Sequence, residues 1–187
     1  LCYRIKISKL KNMEANYRRY PIGIQNFEQL RKRNCVYVDK TELVYRLANT
    51  DSVYFLSRPR RFGKSLLVST LEAYFQGKKE LFSGLAMERL EKSWEIYPIL
   101  HIDFSLTKYT NLFDLQEQLN LFLLRWEKEY GKEEEETTPA ARLQGIIRRA
   151  YEQTGKPIVV LVDEYDAPLL DSNSDIPLQQ ELRNEMR

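Results

Sequence analysis

The sequence predicts an α/β fold in which a parallel sheet lies between two layers of helices, giving three layers in all. Ile158-Val159-Val160-Leu161-Val162 is an unbroken apolar run, which is typical of a strand covered on both faces in a parallel sheet. A second apolar run, Val53-Tyr54-Phe55-Leu56, is followed by a loop and then by apolar residues at helical spacing. With 187 residues, the chain is long enough for one domain with a hydrophobic core.

The composition is that of a soluble globular protein, with 43% hydrophobic and 30% charged residues. Its net charge of +2 is too small to indicate a nucleic-acid partner. Cys2 and Cys35 lie far apart and fit neither a metal-binding spacing nor a disulfide framework. There is no apolar run near the ~20 residues of a membrane span and no signal-peptide core at the N-terminus. The sequence therefore predicts a cytoplasmic protein without a membrane partner.

Residues 1–19 are expected to form an N-terminal extension, and residues 20–187 the domain. Before the loop, the predicted elements are a helix capped by Asn26 and running through Lys32, a strand at Cys35–Val38, a helix capped by Thr41 over Glu42–Ala48, and a strand at residues 53–57. After it come a helix from Ser65 that stops at Gly77, a helix over Met87–Trp94, a strand at Ile99–Phe104, a long helix over residues 112–126, a helix over residues 143–151, the strand at residues 158–162, and a helix from Pro177. The acidic run Glu133–Glu136 is typical of a solvated linker.

A phosphate-binding loop is predicted between the strand at residues 53–57 and the next helix. Gly63, Lys64 and Ser65 match the last three positions of the pattern glycine, four residues, Gly-Lys-Ser/Thr, but Arg58 stands at the first glycine. The free N–H groups at the start of the helix would face phosphate oxygens. Lys64 would reach the β- and γ-phosphates, and the Ser65 hydroxyl would bind Mg²⁺. The alternative is a basic surface turn that contains Gly-Lys-Ser by chance.

The loop as a whole is the predicted nucleotide contact. Its residues are Arg58, Pro59, Arg60, Arg61, Phe62, Gly63, Lys64, Ser65 and Leu66. Arg60 and Arg61 are open to three interpretations: contact with phosphate, contact with a neighbouring subunit, or surface salt links. An Asn-Lys-x-Asp guanine-recognition motif is absent from the sequence, and this favours ATP over GTP as the ligand.

Asp163 and Glu164 follow directly after the buried strand at residues 158–162. Ligands of open α/β sheets bind at the carboxyl ends of the strands, so this is where a metal-binding carboxylate is needed. Asp163 would hold Mg²⁺ directly or through water, and Glu164 would polarise the attacking water as the catalytic residue. Many buried strands end in acids that simply meet solvent, but the Gly-Lys-Ser motif about a hundred residues upstream makes the pairing much more specific.

Four phrases of the sequence together resemble the bacterial AAA-ATPase-like family. They are Tyr20–Ile24, Tyr37–Thr41, Phe55–Ser65 and Leu161–Asp166, and the resemblance covers roughly residues 20–172. It implies an ASCE/AAA-like P-loop NTPase fold, ATP binding, and an arginine-rich loop in which Arg58 is the form that the family uses. Family members usually carry a PD-(D/E)XK nuclease-like domain downstream, which would be a partner domain in the same protein. The resemblance also suggests that residues 37–40 border the adenine.

In the P-loop class with an Asp-Glu pair, an additional strand follows the metal strand in sequence and lies between it and the loop strand. We therefore expect this chain to be the N-terminal part of a longer protein, with a sheet that is incomplete at its C-terminal side. Without that strand, the two flanking strands would be separated by about 10 Å, unless they close up against each other.

Three functions remain open at this point: an ATP-hydrolysing domain, a nucleotide-binding regulatory module without turnover, and a nucleic-acid-binding module. Basic and aromatic residues at Tyr17–Tyr20 and Arg31–Arg33 are compatible with the third function, but also with a solvated face. His101 is the one histidine, which excludes a histidine-based metal site or triad. Asp103 ends its strand near the expected site, either in the second shell of the metal or as a plain strand-end carboxylate.

Overall fold

The computed structural model describes residues 18–50, 53–59, 61–173 and 175–186. The helices in these ranges are α1 (Phe27–Lys32), α2 (Thr41–Ala48), α3 (Lys64–Phe75), α4 (Ala86–Leu90), α5 (Leu112–Tyr130), α6 (Pro139–Thr154), α7 (Ala167–Asp171) and α8 (Ile176–Glu185). The strands are β1 (Ile99–Asp103) and β2 (Val159–Asp163), and short 3-10 helices lie at Lys79–Phe82 and Phe104–Leu106. The predicted N-terminal extension lies almost entirely outside the described residues, although the Arg19 carbonyl accepts a hydrogen bond from the Val36 N–H.

The sheet of the described residues consists of β1 and β2, which pair in parallel from Ile99 opposite Val159 to Asp103 opposite Asp163. Parallel pairing requires a long crossover, which α5 and α6 provide. These two helices bury Leu100 completely, in a cluster with Phe122, Trp126 and Ile146. This mixed helix and strand structure with parallel strands agrees with the predicted α/β class.

Helix α3 contacts both strands. The alternation of side chains along β1 shows that α3 lies on the face of the sheet opposite to α5 and α6. Leu100 and Ile102 point toward α5 and α6, so the intervening His101 points to the opposite face, where it meets Glu72 of α3. Helix α3 also packs with α1, α2 and the 3-10 helix at Lys79–Phe82 around the buried Phe27 and Phe82. The helix that follows the predicted phosphate loop is therefore held between the sheet and this N-terminal cluster.

The predicted strand at residues 53–57 is wrong, because these residues form no strand. Val53 is fully exposed and Phe55 is 72% exposed, and β2 pairs only with β1 among the described residues. The segment and β2 have not closed up against each other. The predicted strand at Cys35–Val38 is also wrong: only an isolated bridge joins Cys35 to Arg19. An extended segment becomes a strand only where a neighbouring backbone supplies a ladder of hydrogen bonds.

Two predicted helix boundaries also change. The helix expected over Met87–Trp94 spans Ala86–Leu90, because the Glu91 carboxylate accepts the N–H groups of Lys92 and Ser93 and turns the chain. Thr41 is the first residue of α2 rather than its cap. The N-cap residue is Lys40, and the Asp39 carboxylate before it accepts hydrogen bonds from both the N–H and the hydroxyl of Thr41.

The acidic run is only partly the solvated linker that its composition predicts. Glu134 and Glu135 are exposed, but Glu136 is 7% exposed and pairs with the buried Arg149 of α6. Burial of a carboxylate requires such a partner. The end of the run is therefore part of the packing between α5 and α6.

Candidate nucleotide-binding site

The N-terminus of α3 has the geometry that an anion site needs. Gly63 precedes the helix with φ 77° and ψ 26°, a left-handed conformation that glycine adopts without steric cost. The first helical hydrogen bond runs from the Leu67 N–H to the Gly63 carbonyl. The N–H groups of Lys64, Ser65 and Leu66 consequently have no partner within the helix and are available to an anion.

The rest of the predicted loop is exposed. Arg58, Pro59, Arg61 and Phe62 lie on the surface, and Arg60 lies outside the described residues. The Lys64 ammonium donates a hydrogen bond to the Arg58 carbonyl, 3.2 Å away, and so spans the loop from its last residues to its first. Arg61 has φ 68°, a left-handed conformation that costs a non-glycine residue about 1–2 kcal/mol.

Leu66 differs from the other predicted contacts. Its side chain packs against the hydrophobic cluster of α1, α2 and α3, so only its backbone N–H is available to a nucleotide. The side chain thus contributes to holding the helix in place.

Asp163 and Glu164 lie where β2 ends and the chain turns. Asp163 is the last residue of the strand and 8% exposed, and its Oδ1 accepts the Glu164 N–H at 3.0 Å. Glu164 is half-buried and has φ 50°, another left-handed residue. The Ala167 N–H closes the turn by donating to the Glu164 carbonyl. Both carboxylates are therefore placed by backbone geometry at the carboxyl end of the sheet.

A cavity of about 230 Å³ brings the two motifs together. Ser65 from the helix, and Asp163 and Glu164 from the strand end, all line it. The residues predicted to bind the metal and to activate water therefore face one space, although they are about a hundred positions apart in sequence. Among the other loop residues that the structure describes, Lys64 included, none lines this cavity.

Five lining residues, Gln25, Asn26, Ser69, Glu72 and Ser105, were not predicted from the sequence as part of the site. The buried Ser69 hydroxyl accepts the Phe27 N–H at 3.0 Å and lies within hydrogen-bond distance of the Gln25 carbonyl at 3.3 Å. It thereby fixes the segment before α1 against α3. The signal was present, because Ser69 follows Ser65 by four residues and lies on the same helix face.

The floor of the cavity contains an ion pair between β1 and α3. His101 Nδ1 lies 3.2 Å from Glu72 Oε2, with about a fifth to a quarter of each side chain exposed. The hydrogen bond that His101 donates to Glu72 raises the pKa of His101, and nearby Asp103 and Asp163 raise it further. The same hydrogen bond lowers the pKa of Glu72.

The lining is strongly acidic. Four carboxylates, from Glu72, Asp103, Asp163 and Glu164, face a cavity to which one histidine contributes positive charge. Of the Lys and Arg nitrogens that the structure describes, none lies within 4 Å of the last three carboxylates. Phosphate would be repelled here unless a cation came with it.

These residues fit Mg²⁺, which is bound through one or two carboxylates, waters and substrate phosphates rather than by a complete protein cage. Ser65 and Asp163 supply the hydroxyl and carboxylate oxygens that Mg²⁺ prefers. In the ranges that the structure describes, there is no cluster of three or more His, Cys, Asp or Glu side chains able to hold a metal ion. A site that phosphate and water complete would not contain such a cluster.

The family model described as predicted AAA-ATPase, AAA-ATPase-like, matches residues 21–187. The chain belongs to this family. It is also 37% identical over 171 residues to an uncharacterized protein in the vnfD 5′ region of Azotobacter chroococcum mcd 1. The match covers 91% of this chain and 33% of the relative, so the chain spans about a third of the length of that protein. No solved structure matches the chain.

Membership in the AAA-ATPase-like family makes this a nucleotide-binding, ATPase-like domain. Among its described residues, none of the helices is both long and apolar enough to cross a membrane.

Residues 37–40, which the resemblance suggests as the border of the adenine, also make structural contacts. Asp39 accepts the Thr41 N–H at the start of α2 and the Ala86 N–H at the start of α4. Arg31 has a structural contact too, since its guanidinium donates to the carbonyls of Leu81 and Ser83.

Proposed function

We propose that this AAA-ATPase-like chain binds ATP with Mg²⁺ and hydrolyses it, as the P-loop part of a larger protein with an ASCE/AAA-like three-layer fold. The observation that carries the proposal is the shared cavity, which Ser65 enters from the loop helix, and Asp163 and Glu164 from the strand end. Phosphate loop and metal strand were predicted separately from sequence, and their convergence is unexpected for a basic surface turn.

The residues would divide the work as follows. The free N–H groups of Lys64, Ser65 and Leu66 bind phosphate oxygens, and the Lys64 ammonium exchanges the Arg58 carbonyl for a phosphate oxygen. Ser65 and Asp163 would hold Mg²⁺, which would supply positive charge next to the phosphates. Glu164 accepts a proton from the attacking water, and its turn conformation directs it toward the cavity from the end of β2.

Nucleotide binding and turnover are separable by two substitutions. Lys64→Ala removes the charge-assisted contact with phosphate, and we expect ATP affinity to fall about 100-fold, or about 2.7 kcal/mol. Glu164→Gln removes the base, and we expect binding to be retained while turnover falls at least about 100-fold. Fluorescent-nucleotide titration measures the first effect and phosphate release the second. Lys128→Ala, on the exposed surface of α5, is the matched control and should change neither.

The same measurements decide between the proposal and a regulatory module without turnover. If wild-type protein binds ATP but releases no phosphate, the regulatory function is correct. If Lys64→Ala binds ATP as tightly as Lys128→Ala, the loop is not the phosphate site. DNA binding that survives Lys64→Ala and ATP, and that falls steeply with salt, would support the nucleic-acid module instead. A nuclease-like partner domain in the full-length protein stays a prediction.

A further inference from the structure

Asp103 stands directly beside Asp163 at one end of the sheet. The two residues are register partners at the carboxyl ends of β1 and β2, and neighbouring strands lie about 4.8 Å apart. Both line the cavity that Ser65 and Glu164 also line. The sheet therefore delivers two carboxylates, from two different strands, to the same side of the candidate site.

The two carboxylates use their oxygens in the same way. Asp103 Oδ1 accepts the Ser105 N–H at 2.8 Å, and Asp163 Oδ1 accepts the Glu164 N–H at 3.0 Å. Each side chain is thus fixed by the backbone that follows its strand. Within the described part of the chain, Oδ2 of each carboxylate accepts no hydrogen bond, so one oxygen of each remains for a ligand.

Their charge is not balanced by any Lys or Arg side chain of the described residues. No described Lys or Arg nitrogen lies within 4 Å of either carboxylate, and His101, which both carboxylates attract, forms its ion pair with Glu72. Two like charges at strand spacing repel each other. A divalent cation relieves that repulsion, and Mg²⁺ sites commonly use one or two carboxylates.

We propose that Asp103 is a second carboxylate of the divalent-cation site and acts with Asp163 and Ser65 on the ion or on its water shell. The assignment rests on the proposed function, because it places the ion at the nucleotide site. It gives Asp103 a role beyond the strand-end cap, since the cap uses only Oδ1.

Asp103→Asn separates the two roles. Asparagine keeps an oxygen that can accept the Ser105 N–H but removes the charge. We expect the Mg²⁺ concentration needed for half-maximal tightening of ATP binding to rise about tenfold, because one of two unit charges is lost. Without Mg²⁺, ATP affinity should stay the same or rise, because a carboxylate that repels phosphate is gone. A purely structural role predicts neither change, and unfolding would lower both affinities together.

The measurements are fluorescent-nucleotide titrations at varied Mg²⁺, and Mn²⁺ binding without nucleotide by electron paramagnetic resonance. Asp175→Asn is the matched control: Asp175 also caps a helix, accepting the Leu178 N–H at 3.0 Å, and does not line the cavity. We expect both Asp103→Asn and Asp163→Asn, but not Asp175→Asn, to weaken Mn²⁺ binding.

The outcomes distinguish the two proposals. Suppose that wild-type protein binds Mg²⁺-ATP and Mn²⁺, and that Asp103→Asn has the same Mg²⁺ dependence of ATP binding and the same Mn²⁺ affinity as Asp175→Asn. The assignment of Asp103 is then overturned, while the nucleotide site stands. If wild-type protein binds Mn²⁺ through both aspartates but no nucleotide, the cation site stands and the proposed function is overturned. Absence of cation binding in both experiments overturns the inference.

Discussion

Residues 53–57 and residues 158–162 were both predicted to form strands from their apolar composition, but only the second segment forms one. The second segment gives β2 (Val159–Asp163), where Leu161 is 8% exposed and every strand residue pairs in register with β1. Residues 53–57 are equally apolar but form no ladder, and Val53 is fully exposed. The two segments differ in whether a neighbouring strand is available to pair with them. A strand forms only when two backbones exchange hydrogen bonds, whereas apolar composition is a property of one segment alone.

The comparison also shows what the candidate site does not depend on. The phosphate loop was expected to be positioned by a strand at residues 53–57, yet Ser65 reaches the cavity without one. Helix α3 is placed instead by the Glu72–His101 pair on the sheet side and by Ser69 and Leu66 on the side of the N-terminal cluster. The site is therefore held by packing of the helix rather than by the strand that precedes it.

Shortening one side chain in the paired sheet and one in the unpaired segment gives the largest contrast. Leu100 of β1 is fully buried beneath α5 and α6, and Leu100→Ala should lower the free energy of unfolding by about 2–5 kcal/mol through the lost burial and the cavity left behind. Val53→Ala should change it by less than about 0.5 kcal/mol, because an exposed side chain loses no packing. Urea denaturation followed by circular dichroism measures both.

An equal loss of stability in the two variants would contradict the comparison. It would mean that residues 53–57 pair with another backbone in solution and are buried there. Leu121→Ala, on the exposed face of α5, serves as the control for shortening a leucine without loss of burial.

The predictions from sequence succeeded where the signal was local. The asparagine cap at Asn26, the left-handed Gly77 after α3, and the placement of Asp163 at a strand end all depend on a few neighbouring residues. Each one is fixed by backbone geometry that a short stretch of sequence determines. The α/β class followed from the same kind of signal.

What the sequence did not predict depends on distant partners. Glu136 is buried because Arg149 lies across from it on α6, and Asp39 joins the start of α2 to α4 because its two oxygens accept the N–H groups of Thr41 and Ala86. Neither pairing is encoded in the composition of one segment. The prediction of a strand at residues 53–57 was wrong for the same reason, since the composition of a segment does not show whether another backbone lies beside it to form hydrogen bonds.

The Glu72–His101 pair that joins α3 to the sheet should make stability depend on pH. The raised pKa of His101 gives stability that is fully present below its ordinary value of 6.5 and is lost as pH rises through the folded pKa. The lowered pKa of Glu72 gives stability that is present above 4.5 and is lost as pH falls through the folded pKa. The pair therefore stabilises the fold most between pH 4.5 and 6.5.

Glu72→Gln tests this dependence. We expect wild-type protein to lose about 1 kcal/mol more than Glu72→Gln between pH 6 and pH 8.5 in urea denaturation, because the variant lacks the main cause of the raised His101 pKa. The stability of the variant should still depend on pH to some extent, since Asp103 and Asp163 still attract the imidazolium of His101. Glu95→Gln, which removes a surface partner of Lys156, is the control. Parallel pH profiles for wild type and Glu72→Gln would show that the pair does not hold α3 to the sheet.

The smallest expected effect concerns the contact between the unpaired segment and the end of β2. The rings of Phe55 and Tyr165 lie 5.3 Å apart between centroids, and both side chains are more than a third exposed. A double-mutant cycle with Phe55→Ala and Tyr165→Ala should give a coupling energy of about 0.5 kcal/mol, at the low end for aromatic pairs because solvent reaches both rings. Zero coupling would show that residues 53–57 do not rest beside the strand end in solution. The loop that follows would then be positioned through α3 alone, and substitutions at Phe55 should leave nucleotide affinity unchanged.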